Sequence, residues 1–192
     1  MNRLAFASGA GVYFTGDHHF GHANVIGYSH RPFQSVEGMD AEMVRRWNAV
    51  VQPTDTVFHL GDFAFKRRKG ETEALLAALH GTKHLIVGNH DHTDTRKAKG
   101  WASVEWYQEL SVGDQPLVLC HYAFQVWNAS HYGTWHLHGH SHGSLPRDMT
   151  KRRLDVGVDC WNYTPASFAD LEREMAKVTF VPVDHHKERA DG

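Results

Sequence analysis

Four histidines stand at alternate positions in the segment WHLHGHSHG, residues 135–143, and they are His136, His138, His140 and His142. If this segment is extended, alternate side chains point to the same face. Such a row can bind a metal, line a polar surface, or have no common role. The chain has 17 histidines against 20 lysines and arginines together. Because imidazole is the commonest protein ligand for metals, this excess favours a metal site.

Other residues of the metal-binding types follow short apolar runs elsewhere in the chain. They are Asp17 and His19 after GVYFT, Asp62 after TVFHL, Asn89 and His90 after HLIV, His121 after PLVLC, and His140 and His142 in the first segment. Each run predicts a buried strand. In layered α/β folds, sites form at the carboxyl ends of strands, where loops from several strands converge. We therefore expect these side chains to meet.

The chemistry of this set favours two divalent ions. The candidate ligands are Asp17, His19, Asp62, Asn89, His121, His140 and His142. Carboxylate, amide and imidazole ligands suit Mn²⁺, Fe²⁺ and Zn²⁺, whereas the lack of a thiolate argues against copper(I) and iron–sulfur clusters. Seven ligands are too many for one catalytic ion but suit two if one carboxylate bridges them. With two carboxylates and a hydroxide, such a centre keeps a charge of about +1, which attracts a phosphoryl anion.

The elements that must position these residues alternate in the first half of the chain. Predicted strands cover 11–17, 55–62 and 84–91, and helical spacing covers 40–51 and 71–80. Asp40 is the expected N-cap of the first helix, and Pro53 is its expected stop. This order predicts an α/β layered fold.

The second half of the chain is richer in strands. Predicted strands cover 104–110, 115–122, 134–142, 152–160 and 178–183, with one helix over 167–177 that Ser167 caps. No repeat, linker or low-complexity segment divides the chain. We expect one domain over residues 1–184, followed by a polar tail, 185–192, whose His185 and His186 are not ligands.

Composition excludes several classes of protein. The net charge is −2 with neutral histidine, so no overall field favours nucleic acid or an anionic membrane. No apolar run reaches the 18 residues or so that a membrane span needs, and a signal peptide is not expected. Cys120 and Cys160 are expected to be buried, reduced thiols, with a disulfide as the alternative. A cytoplasmic protein is the expectation.

The motifs occur in a specific order along the chain. DHHFG (17–21), GD (61–62), GNHD (88–91), His121 and GHSH (139–142) follow the pattern D-x-H, G-D, G-N-H-[DE], H, G-H-x-H. Each motif alone is common by chance, but five in this order form a specific signal. The sequence resembles the calcineurin-like metallophosphoesterase superfamily over residues 17–142 of the 192.

This resemblance implies a site and a fold. By position, Asp17, His19 and His142 would hold one ion, Asn89, His121 and His140 would hold the second, and Asp62 would bridge them. A metal-bridging hydroxide would attack phosphorus in line. His90 would assist the leaving oxygen, and Asp91 would orient His90. The implied fold is a four-layer αββα sandwich with two central mixed β-sheets flanked by helices.

The expected activity is dinuclear metal-dependent phosphohydrolysis. Mn²⁺ is the first choice of metal, with Fe²⁺, Fe³⁺, Zn²⁺ and Ni²⁺ as alternatives. Serine/threonine phosphatases of the superfamily carry G-D-x-V-D-R-G, but this chain has GDFAFKRRKG, which argues against a phosphoprotein phosphatase. The short chain leaves little material for a cap domain, so the expected site is open. We expect phosphodiester hydrolysis of small or nucleotide-like substrates.

Three alternative functions stay open. They are a phosphomonoesterase, a nuclease that tracks a phosphate backbone with KRRK (66–69) and the basic segment 147–153, and a non-catalytic metal-binding scaffold. The net charge argues against an extended nucleic-acid surface.

Candidate substrate contacts lie near the first two motifs. They are His22, Asn24, Arg31, Lys66, Arg67 and Arg68, and a solvated basic loop is the alternative interpretation of the last three. His18 and His136 are expected to be structural, and His138 to support the ligands or line the groove.

Overall fold

The structure, a computed structural model, describes residues 4–65 and 68–183. The strands are β1 Leu4–Phe6, β2 Val12–Thr15, β3 Thr56–His59, β4 Thr82–Ile86, β5 Trp101–Glu105, β6 Tyr107–Val112, β7 Gln115–Cys120, β8 Trp135–His138, β9 Arg153–Asp155 and β10 Ala166–Ser167. The helices are α1 Ala23–Tyr28, α2 Val36–Val50, α3 Lys69–Ala78, α4 Thr93–Arg96 and α5 Phe168–Met175. Two 3₁₀ turns cover Ser130–Tyr132 and Val158–Cys160. The predicted α/β class is confirmed.

The strands form two mixed five-stranded sheets. Sheet I has the order β10-β2-β3-β4-β5, and sheet II has the order β1-β6-β7-β8-β9. In sheet I, β2, β3, β4 and β5 run parallel, so the loops after β2, β3 and β4 leave from one edge. In sheet II, β7 and β8 are also parallel. All five loops that carry candidate ligands therefore follow strands with a parallel neighbour.

The two sheets pack face to face through an apolar core. Phe14 and Phe58 of sheet I stack with ring centroids 5.6 Å apart. The same buried cluster contains Leu117, Leu119 and Leu137 of sheet II. Alternate residues of β7 point into this core, as the period of a strand requires. The buried faces hold both sheets rigidly, which fixes the positions of the loops at their ends.

Helix α2 covers the other face of sheet I. Met39, Met43 and Trp47 recur every four residues, so they form one buried stripe that packs in a cluster with Val57 of β3. The outer face of sheet II is covered differently, because Phe124 of the segment before β8 stacks on His136 at 5.0 Å. Three layers are thus built from α2, sheet I and sheet II.

Several predicted boundaries are wrong. Asp40 is not the N-cap of α2, since Ser35 caps the helix by accepting a hydrogen bond from the Gly38 N–H at 3.1 Å. Asp40 lies one turn into the helix and accepts from the Gly21 N–H, which ties α2 to the first ligand loop. The helix ends at Val50, three residues before Pro53.

Other differences arise from tertiary contacts. The predicted strand 104–110 is two strands, because the chain crosses from sheet I to sheet II at the exposed Trp106. The segment 178–183 forms no strand; the N–H groups of Thr179 and Val181 instead donate to carbonyls of a loop at 149–150. The short elements β1, α1, α4 and β10 were not predicted.

Further predictions have mixed outcomes. Ser167 caps α5, as predicted, by accepting from the Asp170 N–H. Both cysteines are free thiols, as expected, but Cys160 is exposed rather than buried. No helix within residues 4–65 and 68–183 has the length and apolar character to cross a membrane. The tail 185–192 lies outside the described residues.

Candidate metal centre

The structure brings the predicted ligands into two adjoining groups. In the first, ligand atoms of Asp17, His19 and His142 all lie within 4.8 Å of one another, and in the second the same holds for Asp62, His121 and His140. We call Asp17, His19 and His142 half-site A. We call Asn89, His121 and His140 half-site B.

Half-site A is built from the loops after β2 and β8. The Nε2 atoms of His19 and His142 lie 3.3 Å apart. The carboxylate of Asp17 accepts the His140 N–H at 3.0 and 2.9 Å, which holds the β8 loop against the β2 loop. Asp17 and His19 are buried, and His142 is half-buried.

Half-site B is built from the loops after β4, β7 and β8. The Oδ1 of Asn89 lies 3.0 Å from Nε2 of His121 and 3.0 Å from Nδ1 of His140. The Nδ1–H of His121 donates to the Leu60 carbonyl at 2.7 Å, so Nε2 of the neutral ring presents a lone pair to the Asn89 oxygen. Two acceptors that face each other need a cation between them, so the residues fit a metal ion.

Asp62 lies between the two half-sites. Its Oδ2 is 3.5 Å from Nε2 of His19 and 3.5 Å from Nε2 of His121. Its other oxygen accepts the His90 N–H at 2.8 Å. One carboxylate oxygen therefore faces both half-sites, which is the arrangement that a bridging ligand needs.

The backbone at the site is strained. Nine non-glycine residues in the described chain have a positive φ, and five of them are predicted ligands: Asp17, His19, Asp62, His140 and His142. Such conformations cost energy and persist where the surrounding structure imposes them, often at functional sites. The loops therefore hold these side chains in place at a cost in stability.

Glycines allow the ligand loops to approach one another. A Cβ at Gly88 would lie 2.3 Å from the Asp62 carboxylate, and a Cβ at Gly61 would lie 2.5 Å from the Gly88 nitrogen. On the other side, a Cβ at Gly157 would lie 2.4 Å from the Asp17 carboxylate. The G-D and G-N motifs thus require glycine because two backbones meet there.

Burial sets the charge states of the site. Burial raises the pKa of Asp17 well above its ordinary range, and the nearby carboxylates of Asp155 and Asp62 raise it further. Burial lowers the pKa of His19 to about 2 and also lowers the pKa of His121. The His19 and His121 imidazoles are therefore neutral and able to bind a metal, while the buried Asp17 carboxylate needs a cation to remain ionised.

The two predicted catalytic residues have different environments. His90 is half-buried at the rim, and its ring lies 5.3 Å from that of His19. Asp91 does not hold the His90 ring as expected; its oxygens accept from the N–H groups of Asp62, Phe63 and Gly88 at 2.8–2.9 Å. Because these are loop amides, Asp91 fixes the backbone of the two ligand loops and not the imidazole.

The predicted substrate contacts do not all reach the site. His22 lines the cavity at the metal centre and stacks on Phe65 at 3.9 Å. Asn24 is exposed on α1 and lines a different, shallow depression. Arg68 is exposed at the start of α3. Lys66 and Arg67 lie outside the described residues.

Arg31 is not available to a substrate. Its side chain has no exposed surface, because it is enclosed by the ion pair with Asp159 and by the backbone carbonyls of Asp17 and His18. A guanidinium with four hydrogen bonds to oxygen atoms inside the protein is a structural group. The prediction that Arg31 contacts substrate is wrong.

Sequence reasoning missed Asp159 and Gly157. Asp159 accepts a hydrogen bond from Nδ1 of His142 at 2.7 Å. Burial alone would raise the pKa of Asp159, but the hydrogen bonds from His142 and Arg31 outweigh it and the pKa is lowered. Arg31 and Asp159 are 128 residues apart, so no local pattern points to their contact. The GVD sequence at 157–159 has no motif that distinguishes it.

His18 and His136 are structural, as expected. His18 and His59 form a buried pair with nitrogens 2.9 Å apart. His136 accepts the Phe124 N–H at 3.0 Å and donates from Nδ1 to the Val118 carbonyl. His138 is buried and its Nδ1 contacts the Gly139 carbonyl. Of the four histidines in WHLHGHSHG, only His140 and His142 therefore belong to the site.

Comparisons with known proteins give a family but no activity. No family model matches the chain. Uncharacterized protein MJ1445 of Methanocaldococcus jannaschii is 32% identical over 162 residues, which cover 81% of this chain and 86% of that protein. The chain belongs to the same family as this archaeal protein.

Phage proteins and one solved structure are also similar. The gene 66 protein of Mycobacterium phage L5 is 29% identical over 78% of this chain and 87% of its own length. The gene 66 protein of Mycobacterium phage D29 is 29% identical over 79% of this chain and 89% of its own length. The crystal structure of AQ665 from Aquifex aeolicus, a protein of unknown function, has a TM-score of 0.67 at 25% identity over 86% of this chain and 97% of that one. None of these names states an activity.

Proposed function

We propose that this protein is a dinuclear metal-dependent phosphohydrolase that cleaves phosphodiester bonds. The observation that carries the proposal is the single oxygen of Asp62 at 3.5 Å from a ligand nitrogen of each half-site. The resemblance of the five motifs to calcineurin-like metallophosphoesterases supports the same chemistry. The four-layer αββα arrangement is part of this proposal.

Two divalent ions, with Mn²⁺ as first choice, would neutralise phosphate charge and activate water when bound. The chain supplies the ligands from strand-end loops, so their separation is set by the two sheets. His90 stands at the rim near His19, where its imidazole can give a proton to the leaving oxygen. Asp91 holds the two loops that carry Asp62 and His90.

The substrate cavity favours a singly charged phosphodiester. A cavity of about 520 Å³ opens at the metal centre, and its described lining contains histidines, serines and Tyr28 but no lysine or arginine. Arg31, ten residues after the first motif, is buried and its charge is paired with Asp159. Among the described residues, a monoester dianion would therefore find no side-chain cation beside the metal ions. A diester, with one negative charge, needs none.

The test is hydrolysis of bis(p-nitrophenyl) phosphate and p-nitrophenyl phosphate by protein stripped of metal and reloaded with Mn²⁺. We expect Mn²⁺-dependent diester turnover, two bound ions per chain by elemental analysis, and loss of turnover in Asp62→Asn. The matched control is Asp170→Asn, which removes a carboxylate at the start of α5.

The outcomes separate the alternatives. Faster turnover of the monoester would replace the diesterase by a phosphomonoesterase. Cleavage of single-stranded nucleic acid with a steep salt dependence would favour a nuclease. Two bound ions without turnover of any ester would favour a scaffold, and fewer than two bound ions would overturn the proposal.

A further inference from the structure

Asp159 contacts one ligand of half-site A from behind. It lies on the 3₁₀ turn Val158–Cys160, and its Oδ2 is 2.7 Å from Nδ1 of His142. Because a carboxylate only accepts, the proton of His142 lies on Nδ1, and Nε2 keeps its lone pair. That Nε2 is the atom 3.3 Å from Nε2 of His19. The hydrogen bond therefore selects the tautomer and the direction of the imidazole.

Arg31 holds Asp159 in place. Its Nε and Nη2 donate to the two oxygens of Asp159, each at 2.8 Å, in the paired geometry that fixes a carboxylate plane. The same guanidinium donates to the carbonyls of Asp17 at 2.6 Å and His18 at 2.8 Å. One buried arginine thus joins the turn that carries Asp159 to the strained loop that carries Asp17.

We propose that Asp159, held by Arg31, is a positioning residue that aims His142 at half-site A and sets the affinity of that half-site for its metal ion. This inference rests on the proposed function, since it needs a cation at half-site A. Asp159 and Arg31 lie outside the five motifs.

His142 depends on such support because its own surroundings enclose it only in part. It is half-buried, stands on the loop after β8, and has a φ of 48°. Its Nδ1 also lies 3.2 Å from the hydroxyl of Ser29, a weaker neutral partner. His19 receives no comparable support, since its Nδ1 is buried and has no hydrogen-bond partner among the described residues. Partners of this kind typically change metal affinity by about 10- to 100-fold.

Half-site B is supported by other residues, so a change at Asp159 should affect metal binding at half-site A alone. His121 is held by the Leu60 carbonyl, and neither Asp159 nor Arg31 contributes a hydrogen bond to Asn89, His121 or His140 in the described structure. Loss of the Asp159 carboxylate should therefore weaken one ion and leave the other unchanged.

The test is Mn²⁺ binding to metal-free protein by isothermal titration calorimetry. Wild type is compared with Asp159→Asn, which keeps the size and an acceptor oxygen, and with Asp159→Ser, which removes the carboxylate and shortens the side chain. His142→Ala and the double variant Asp159→Asn/His142→Ala complete a cycle. Asp170→Asn serves as the matched control, because it removes a carboxylate that caps α5 away from the site.

We expect one of two ions to bind about 10-fold more weakly in Asp159→Asn and about 100-fold more weakly in Asp159→Ser. The double variant should bind like His142→Ala, since Asp159 acts through His142. Asp170→Asn should lower Tm without changing either affinity. Nitrogen–proton correlation spectra of the metal-free protein should show the Nδ1–H tautomer of His142 in wild type and its loss in Asp159→Ser.

Different results overturn different statements. If wild type binds two ions and Asp159→Asn and Asp159→Ser bind both as tightly, the positioning role is wrong while the proposed function stands. Equal weakening of both ions, or full additivity in the cycle, also overturns it. Fewer than two ions in wild type would remove the proposed function and this inference together.

Discussion

The two half-sites of the centre share Asp62 but differ in charge and exposure. Half-site A has its own carboxylate, Asp17, which is fully buried, and it is supported by the Asp159–Arg31 ion pair. Half-site B has a neutral amide, Asn89, in the corresponding place, and both Asn89 and His140 are exposed. One half is thus an anionic pocket inside the protein, and the other is a neutral set of ligands open to solvent.

This difference assigns different tasks to the two halves. Coulombic attraction between a divalent ion and a buried carboxylate is strong because water does not screen it. An ion at half-site A is therefore expected to be held as part of the structure. An ion at half-site B is expected to exchange and to meet the substrate, because Asn89 and His140 are exposed and line the cavity.

The largest effect is expected from Asp62→Asn, which removes the charge that the two halves share. We expect turnover of bis(p-nitrophenyl) phosphate to fall by roughly 10³-fold, because the site loses both a ligand and its alignment. Elemental analysis should find fewer than two ions per chain. Activity and metal content equal to wild type would show that the halves are independent and that Asp62 does not join them.

The grouping of the candidate ligands was predictable because each of them stands in a short motif at the end of a strand. Asp17, His19, Asp62 and Asn89 follow parallel strands of one sheet, and the rule that such loops converge placed them together. His121 and His140 come from the second sheet, so for these two residues the order of the motifs was a stronger indication than the strand-end rule.

The support behind the ligands was not predictable. Asp159 and Arg31 are distant in sequence and lie in segments without a distinctive pattern, so their contact depends on how the 3₁₀ turn folds back onto the first loop. Arg31 illustrates the difficulty, since an arginine near a phosphate motif has the right chemistry for a substrate contact. Only burial of its side chain reveals the structural role.

Two glycine variants should damage one half-site each. Gly157→Ala places a Cβ 2.4 Å from Asp17, and Gly88→Ala places one 2.3 Å from Asp62 and 2.9 Å from the His121 ring. Forcing such overlaps costs about 1–3 kcal/mol, so we expect the first to weaken half-site A and the second to weaken half-site B and the bridge. Mn²⁺ titration measures both effects.

Gly70→Ala is the matched control for these two variants. A Cβ there meets nothing within 4 Å and lies in the first turn of helix α3, so the change should not lower stability and should leave metal binding unchanged. If Gly157→Ala weakened both ions equally, the assignment of Asp17 to one half would be wrong.

The pH dependence of folding stability tests a histidine of β8 that lies outside the metal centre. Burial lowers the pKa of His136 from 6.5 to about 3. Between these pH values His136 is therefore protonated in the unfolded chain but neutral in the folded chain. Folding stability is therefore lost as the pH falls through this window, by about 2 kcal/mol from pH 7 to pH 5 for this residue. Urea unfolding of metal-free protein at the two pH values measures it.

His136→Gln should lose about 2 kcal/mol less than wild type over the same interval. Its affinity for Mn²⁺ at both half-sites should be unchanged at pH 7, since the ring bonds to Val118 and Phe124 and to no ligand. Equal losses in variant and wild type would mean that His136 is not the group that titrates.

The smallest expected effect is the difference in metal affinity between the two half-sites, and it tests their comparison most directly. When protein loaded with two Mn²⁺ ions is titrated with a chelator, one ion should leave first, with an affinity lower by about 10-fold, or 1.4 kcal/mol. We assign this ion to half-site B, because a buried carboxylate holds the other. In His140→Ala the weak ion should be missing and the tight one unchanged, whereas His142→Ala should weaken the tight one. If His140→Ala removed the tight ion instead, half-site B would hold its ion more tightly than half-site A. The buried carboxylate of Asp17 would then not determine which ion binds more strongly.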